Sequence, residues 1–547
     1  MYNMNKGFGT KGIKLCAALL AAVLVITGCG SGGGSKNAPK DVSIEGRYAL
    51  DPETPAWKLD KKEETTELTW YVNADWWNTD FGKDVVTKKI KEDLNIDIKF
   101  ITGDDTKLNT FFAGGDMPDL LTIFDSNSPV VQKAPTWALS LNDLAEKYDP
   151  HFNKVAAADT LNWFQLKDGK TYGYPNYSNT QADYDSGNIP AKTAFVVRKD
   201  VYDALGKTAM GTPEEFKAVM DQIKGQFPDL IPFGFNSIGE GTGSLGDVFQ
   251  DFLGVPLEDS NGGFYNRNLD EDYLAWIKTL NEVYRDGAIS DDSFADDGTA
   301  FEEKVKSGKY ATMLLDGTPQ QGGNLQIFLS ANPGKEYLAI DGPQSTVGNQ
   351  PTLNQSGITG WMISFITKKC KDPAKAIQLF TYLLSEEGQM LMNYGIEGET
   401  YQVKADGSVE FLPEVKDLQL NNADKFKKDY RMGEFMFFGH DRHKAMSADA
   451  FPESIKQMQE WGKGKLKPHF ILENINPDQG TPEARSLSAI NTNWNTTMVS
   501  LIRSKSEAEF DSTLAAHKAF LEDNNWDDIL KIRSEKMNQN KEKLGIK

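Results

Sequence analysis

The sequence predicts an α/β fold built on mostly parallel sheet with helices on its faces. Three observations lead there. Between residues 67 and 124 strand-like and helix-like segments alternate in the order β-α-β-α-β, the order that parallel strands joined by crossover helices require. The composition is globular, with 39% hydrophobic and 25% charged residues, and 547 positions leave room for two or more domains. Cysteine, with three residues, supplies no scaffold, so an ordinary apolar core must carry the stability.

The elements follow in order. Residues 67–72 (Glu-Leu-Thr-Trp-Tyr-Val) have the β-branched and aromatic content of a strand. Over 84–94, Val85, Val86, Ile90 and Leu94 recur at helical spacing. Residues 95–101 alternate with period two, 107–112 suit a short helix, and 119–124 form another apolar strand. Ligands of such sheets bind outside the carboxyl ends of the strands. Those ends are Asn73-Ala74-Asp75-Trp76-Trp77 and Asp125-Ser126-Asn127-Ser128. Two adjacent tryptophans in a polar loop suit a binding cleft, with one of them free to pack inward. Farther on, Thr212 with Pro213 and Glu215, and Asp372 with Pro373, read as capped helix starts. Trp276, in helical register with Tyr273 and Leu280, reads as core.

The N-terminus carries an export signal. Lys6, Lys11 and Lys14 precede an apolar run over 15–27 that ends in small residues. That run is shorter than the ~20 apolar residues a membrane-spanning helix needs. Ile26-Thr27-Gly28-Cys29 looks like a lipobox, which makes 1–28 a lipoprotein signal peptide and Cys29 the acylated first residue of the mature protein. Each buried CH2 of the acyl chains contributes about 0.8 kcal/mol of membrane affinity. Residues 29–65 are then the lipidated cysteine and a flexible tether: 30–35 is Gly and Ser throughout, and the rest reads as an extended polar arm. With Cys16 removed and Cys29 lipidated, Cys370 has no partner for an internal disulfide.

A formal charge of −20 argues against nucleic acid or anionic lipid as partner, because phosphate binding needs clustered Lys and Arg. It does not exclude an acidic ligand, since a local pocket can oppose the global field. No cofactor is expected. Gly241-Thr242-Gly243-Ser244-Leu245-Gly246 has dinucleotide-type spacing, but it follows Pro228 and Pro232 rather than opening a βαβ unit, and reads as a cleft-edge loop. No metal site is assigned either: His440-Asp441-Arg442-His443 lacks a third ligand, and Asp291-Asp292 with Asp296-Asp297-Gly298 misses the alternation of a calcium loop, which leaves calcium open but unsupported. There is no Gly-x-Ser-x-Gly elbow. A pair of carboxylates suited to glycoside hydrolysis is not excluded by spacing among 79 acids, so a glycan-acting enzyme stays as the weaker alternative to a binding protein without catalytic residues.

Several motifs then appear in a fixed order. They are Ala113-Gly114-Gly115-Asp116-Met117-Pro118-Asp119, Asp168-Gly169-Lys170-Thr171-Tyr172-Gly173-Tyr174-Pro175, Phe195-Val196-Val197-Arg198-Lys199-Asp200-Val201-Tyr202, Gly211-Thr212-Pro213-Glu214-Glu215-Phe216, Gly308-Lys309-Tyr310-Ala311-Thr312-Met313, and Asp372-Pro373-Ala374-Lys375-Ala376 leading to Leu383-Leu384-Ser385-Glu386-Glu387-Gly388-Gln389. The series resembles the family 1 extracellular solute-binding proteins of ABC importers. Tyr394-Gly395-Ile396-Glu397-Gly398-Glu399-Thr400-Tyr401, with the long C-terminal extension, is similar to the large Gram-positive lipoprotein subgroup whose ligands are oligosaccharides. The resemblance implies a two-lobed, periplasmic-binding-protein-like α/β fold of the class II type, each lobe a mostly parallel sheet flanked by helices. Lobe 1 would comprise 66–185 plus 357–415, and lobe 2 186–356 plus 416–547, with the Phe195-to-Tyr202 motif as a hinge strand. It also implies a monomer, lipid-anchored at the outer face of the cell membrane, that hands an oligosaccharide to transmembrane permease subunits. A non-sugar solute is the alternative.

Oligosaccharide recognition needs flat apolar faces for ring stacking and planar polar groups for hydroxyl pairs. Position at strand ends, at the hairpin after Pro175 and at the crossing before residue 361 nominates Trp76, Trp77, Tyr177 and Trp361 for stacking. Asn73, Asp75, Asp125, Asn176, Glu240 and Asp316 are the candidates for hydrogen bonding. Tyr177 and Trp361 suit hinge packing equally well.

Overall fold

A computed structural model describes residues 41–238, 244–354, 357–405, 407–435, 437–444, 446–447 and 451–546. The signal peptide, Cys29, Glu240 and Gly241-Thr242-Gly243 lie outside these residues. Among the described residues, nine strands build two sheets: β1 (Thr66–Val72), β2 (Ile96–Thr102), β3 (Leu120–Phe124), β4 (Gly173–Pro175), β5 (Thr193–Arg198), β6 (Ile231–Phe235), β7 (Tyr310–Asp316), β8 (Tyr337–Ala339) and β9 (Met362–Ile366). The first sheet has the order β2-β1-β3-β9-β4, with β1 parallel to β2 and β3, and β9 antiparallel to both β3 and β4. The second has the order β6-β7-β5-β8, with β6 and β7 parallel and β5 antiparallel to its neighbours. A short hairpin, β10 (Tyr401–Val403) with β11 (Val409–Phe411), stands apart from both sheets.

Local chemistry explains the first β-α-β unit. The Asp84 carboxylate accepts the Thr87 N–H at 2.8 Å and starts the helix Val85–Leu94; Asn95, at φ 48°, stops it and turns the chain into β2. Alternation along β1 sends Leu68, Trp70 and Val72 into one core with Val86, Ile90 and Leu94. Tyr71, Leu121 and Ile123 face a second core on the other side of the sheet. Thr212 and Glu215 form the expected reciprocal cap of the helix Pro213–Gln226, and Trp276 is buried with its indole N–H on the Gln344 carbonyl at 2.9 Å.

Three segments differ from the sequence expectations. Strand β5 ends at Arg198, whose guanidinium is held by Asp200 and by the Gly308 carbonyl, and Lys199–Ala204 is a helix rather than a continued hinge strand. Residues 416–438, expected with the second lobe, put Phe426, Met432, Phe435, Phe437 and Phe438 into the first core, because so many aromatics bury most area against Trp70, Trp77 and Phe100. Residues 41–65, expected as an unpacked arm, are a strap on the helix Pro373–Leu384. Ala56 is buried and Trp57 meets Tyr382 edge-on at 4.9 Å. The buried Asp60 carboxylate receives Arg47 Nε at 3.1 Å, Lys375 Nζ at 3.0 Å and Gln378 Nε2 at 3.1 Å. Burial pushes the Asp60 carboxyl up, but Arg47 and Lys375 hold it well below the usual carboxylate range. Asp372, which caps that helix through the Lys375 N–H, also takes Lys62 Nζ at 2.8 Å.

The C-terminal extension is three helices, Pro482–Arg503, Glu507–Asp523 and Trp526–Leu544. The first shares the second lobe's core, and the third reaches back, with Lys543 Nζ donating to the Trp163 carbonyl at 3.1 Å and Leu544 on the Tyr71–Ile123 cluster. All described residues belong to one compact unit, and no helix among them is long and apolar enough to cross a membrane. His517 sits buried between the first two helices, Nδ1 2.7 Å from Asn493 Oδ1 and its ring 4.8 Å from Trp494. Burial depresses its pKa from 6.5 to about 4. The unfolded chain therefore binds this proton more tightly, so His517 leaves stability intact above pH 6.5 and lowers it as pH falls toward 4. The melting temperature is expected to fall across that window, with a shallower slope in His517→Gln.

Candidate functional site

Three chain crossings run side by side between the lobes. The Asn176 N–H donates to the Met362 carbonyl at 2.8 Å, the Gly439 N–H to the Asn176 carbonyl at 2.9 Å, the Ser178 N–H to the Gly439 carbonyl at 3.1 Å, and the Asn179 N–H to the Gly357 carbonyl at 2.9 Å. These bonds tie together the segments that follow β4, precede β9 and leave the first core after Phe438. Side chains reinforce them. The buried Asn176 Oδ1 accepts the N–H groups of Trp361 and Met362 at 3.2 and 2.8 Å. Glu473 accepts those of Ile358 and Thr359 at 3.0 and 2.8 Å, and burial raises its carboxyl pKa. Asp441 accepts from the Tyr177 hydroxyl and, at 2.8 Å, from the Asn179 amide. Burial pushes Asp183 up, but His440 Nδ1 at 3.2 Å and Arg442 at 2.7 Å bring it to about 2. His440 is thus a hinge residue, and among the described residues no three His, Cys, Asp or Glu side chains converge as metal ligands would. Gly360 has φ 66°, and a Cβ there would lie 2.4 Å from the Tyr177 carbonyl. Gly360→Ala is expected to destabilise the fold by more than about 1 kcal/mol, read from the denaturation midpoint.

Beside this hinge, at the carboxyl edge of the first sheet, lies an aromatic row. Trp76 comes from the loop after β1, Phe124 is the last residue of β3, and Trp361 immediately precedes β9. Because β9 is antiparallel and Phe124 pairs with Met362, the start of β9 lies at the end of β3. The Trp76 and Trp361 rings stack at 6.0 Å and 29°, and Phe124 and Trp361 stand 5.7 Å apart at 35°. All three stay open to solvent, at 60, 39 and 37% exposure, although burial is the ordinary fate of such side chains. Asp75 is exposed beside Trp76. Asp125, at φ 56°, accepts the Asn127 N–H at 3.0 Å and the Gln479 amide at 2.7 Å. An apolar aromatic face bordered by carboxylates and amides can hold a flat ligand that carries hydroxyls.

Residues 86–397, more than half of the chain, match the family model of bacterial extracellular solute-binding proteins. The chain belongs to this family. Solved structures share the solute-binding protein's architecture. Alginate-binding protein AlgQ2 without calcium ion has a TM-score of 0.61 at 17% identity, covering 87% of this chain and 99% of that one. The ABC-transporter substrate-binding protein FusA of S. pneumoniae in complex with kestose has 0.62 at 17%, covering 87% and 100%. An extracellular solute-binding protein of Bifidobacterium longum subsp. infantis has 0.65 at 14%, covering 87% and 98%. Identities this low speak to the fold, and they agree with the two-lobed α/β architecture expected from the sequence. No curated protein sequence matches the chain.

Within the solute-binding protein the nominated residues separate. Trp76, Trp361, Asp75 and Asp125 meet at the first lobe's edge. Trp77 does not: it is buried among Phe100, Phe435 and Phe437, with the Arg431 guanidinium 5.6 Å from its ring. Residues 74–77 form a turn closed by the Trp77 N–H on the Ala74 carbonyl at 3.1 Å, and in it one tryptophan reaches solvent while its neighbour enters the core. Asn73 is buried and committed, donating to Asp105 at 2.7 Å and accepting the Tyr71 hydroxyl at 2.8 Å. Asn176 and Tyr177 brace the hinge: the Asn176 Oδ1 accepts from Trp361 and Met362, and the Tyr177 hydroxyl donates to Asp441. Asp316 belongs to the other lobe. It ends β7 opposite Thr193, accepts that hydroxyl at 3.0 Å, lies 3.5 Å from Lys192 Nζ, and has its backbone clamped by the Asn236 amide at 2.9 and 3.0 Å. Glu240 lies outside the described residues. Phe124 escaped the sequence reading as a site residue; its place at the end of β3 was the available signal.

Proposed function

We propose that this solute-binding protein captures an oligosaccharide at the aromatic row Trp76–Trp361–Phe124 and delivers it to the permease subunits of an ABC importer. The exposed row at the strand ends is the observation that carries the reading, because sugar rings present flat C–H faces to aromatic planes while their hydroxyls pair with carboxylates and amides. The kestose complex of FusA and the alginate-binding AlgQ2, which share the fold, support a saccharide as ligand. The ligand works by shifting the equilibrium between open and closed lobes, without catalysis, and only its preference for the closed form drives that shift. Lipid on Cys29 keeps the monomer at the outer face of the membrane.

Soluble protein beginning after Ser35, screened by thermal shift against oligosaccharides, peptides and metal ions, tests the reading. An oligosaccharide at 100 times its Kd is expected to stabilise the protein by about 2.7 kcal/mol. Stabilisation by a peptide or metal alone overturns it, and new reducing ends released from a glycan make the protein an enzyme. Incorporation of labelled palmitate, abolished by Cys29→Ser, tests the anchor.

A further inference from the structure

The loop that follows Phe124 leads away from the aromatic row. Two residues on, Ser126 and Asn127 form the rim of a cavity of 670 Å3, and Gln479, which holds Asp125, lines it as well. The cavity runs between the loop after β3, the Gln165–Thr171 turn and the final helix, with the buried Trp163 in its wall. Its size suits a bound small molecule or a sugar unit.

Its charge runs against the rest of the chain. The protein carries −20, yet four lysines line this cavity, Lys133, Lys167, Lys536 and Lys543, against one acid, Asp478. Lys536 Nζ holds Asp478 at 2.6 Å. Among the described residues the other three lysines form no ion pair with a carboxylate. Lys543 is the most telling of them. Its ammonium donates to the Trp163 carbonyl at 3.1 Å and lies 5.5 Å from the centre of that ring. Lys543, like Lys133 and Lys167, is exposed, and a bound carboxylate would give these three ammonium groups the charge-assisted partner they lack. Gln132, Gln165 and Gln539 add amides that can pair with hydroxyls around the anion.

We propose that this cavity receives an acidic sugar unit, a uronic acid, whose carboxylate is held by Lys133, Lys167 and Lys543, so that the preferred ligand is an acidic oligosaccharide running from the aromatic row into the cavity. The proposal rests on the sugar-capture reading and sharpens it. Titration calorimetry of the soluble protein tests it with trigalacturonate and a β-1,4-linked triglucuronate, beside their neutral counterparts galactotriose and cellotriose, at 20 and 200 mM salt. At least one uronate is expected to bind at least tenfold tighter than its neutral counterpart at low salt, with the advantage shrinking at high salt. In the surface variant Lys133→Gln/Lys167→Gln, whose fold is checked by its melting temperature, that advantage disappears while neutral affinity is unchanged; Lys543→Gln repeats the loss. Neutral sugars binding as tightly as uronates, or an advantage that survives the double variant, overturns the acidic preference and leaves sugar capture standing. Absence of binding by all four overturns the proposal, and the wider thermal-shift screen then decides separately whether sugar capture falls with it.

Discussion

Asp60→Ala is expected to cost about 3–5 kcal/mol of folding stability, the range seen when one partner of a buried ion pair is removed. The loss is large because two cations depend on this carboxylate. Lys375 is buried within the helix Pro373–Leu384, and Arg47 is mostly enclosed by the strap. Without Asp60 both keep their charge and lose their nearest anion, while Asp372 remains 3.4 Å from Arg47 as a weaker substitute. Chemical denaturation reads the effect as a lower midpoint. Asp60→Asn keeps the shape and the hydrogen-bond acceptor and is expected to recover part of the loss. An unchanged midpoint in Asp60→Ala means that the strap contributes nothing to the fold. The pH dependence has a definite sign. The depressed carboxyl pKa adds stability above the ordinary Asp value of 3.8, and that stability is lost as pH falls below it.

The paired tryptophans should respond in opposite ways. Trp76→Ala and Trp361→Ala each remove an exposed ring, so the melting temperature is expected to stay nearly unchanged while oligosaccharide affinity falls about 30-fold, corresponding to about 2 kcal/mol for an aromatic anchor. Trp77→Ala removes a core ring packed on Phe437 at 4.9 Å and is expected to destabilise the protein by about 3–5 kcal/mol. Calorimetry and thermal melting on the three variants separate the roles. Unchanged affinity in both exposed variants means that the ligand binds elsewhere.

Much of the framework was legible because it is local. Period-two and helical patterns located the first three strands and their helices within a few residues, and the caps at Thr212 and Asp372 are written in adjacent residues. The misread parts depend on distant partners. The charges of 41–65 looked like a solvated arm because Asp372, which takes Lys62, lies 310 positions away. Asn176 was nominated for its place after Pro175, and nothing near it in sequence announces that its Oδ1 also holds Trp361 and Met362, 185 and 186 positions on. Trp76 and Trp77 were equivalent as letters, and only the turn closed by the Trp77 N–H on the Ala74 carbonyl tells them apart. Residues 416–438 were assigned by position along the chain, whereas their aromatics are drawn to the core with matching surface.

The docked strap also decides what a membrane anchor would hold. With residues 41–65 fastened to the first core, a chain lipidated at Cys29 as proposed would be leashed through that lobe and not through the second. Only a dozen residues separate Cys29 from Asp41, a reach of about 40 Å when fully extended. So short a leash would confine an anchored protein to a thin layer beside the bilayer, where its search for a membrane permease is reduced to diffusion along the surface.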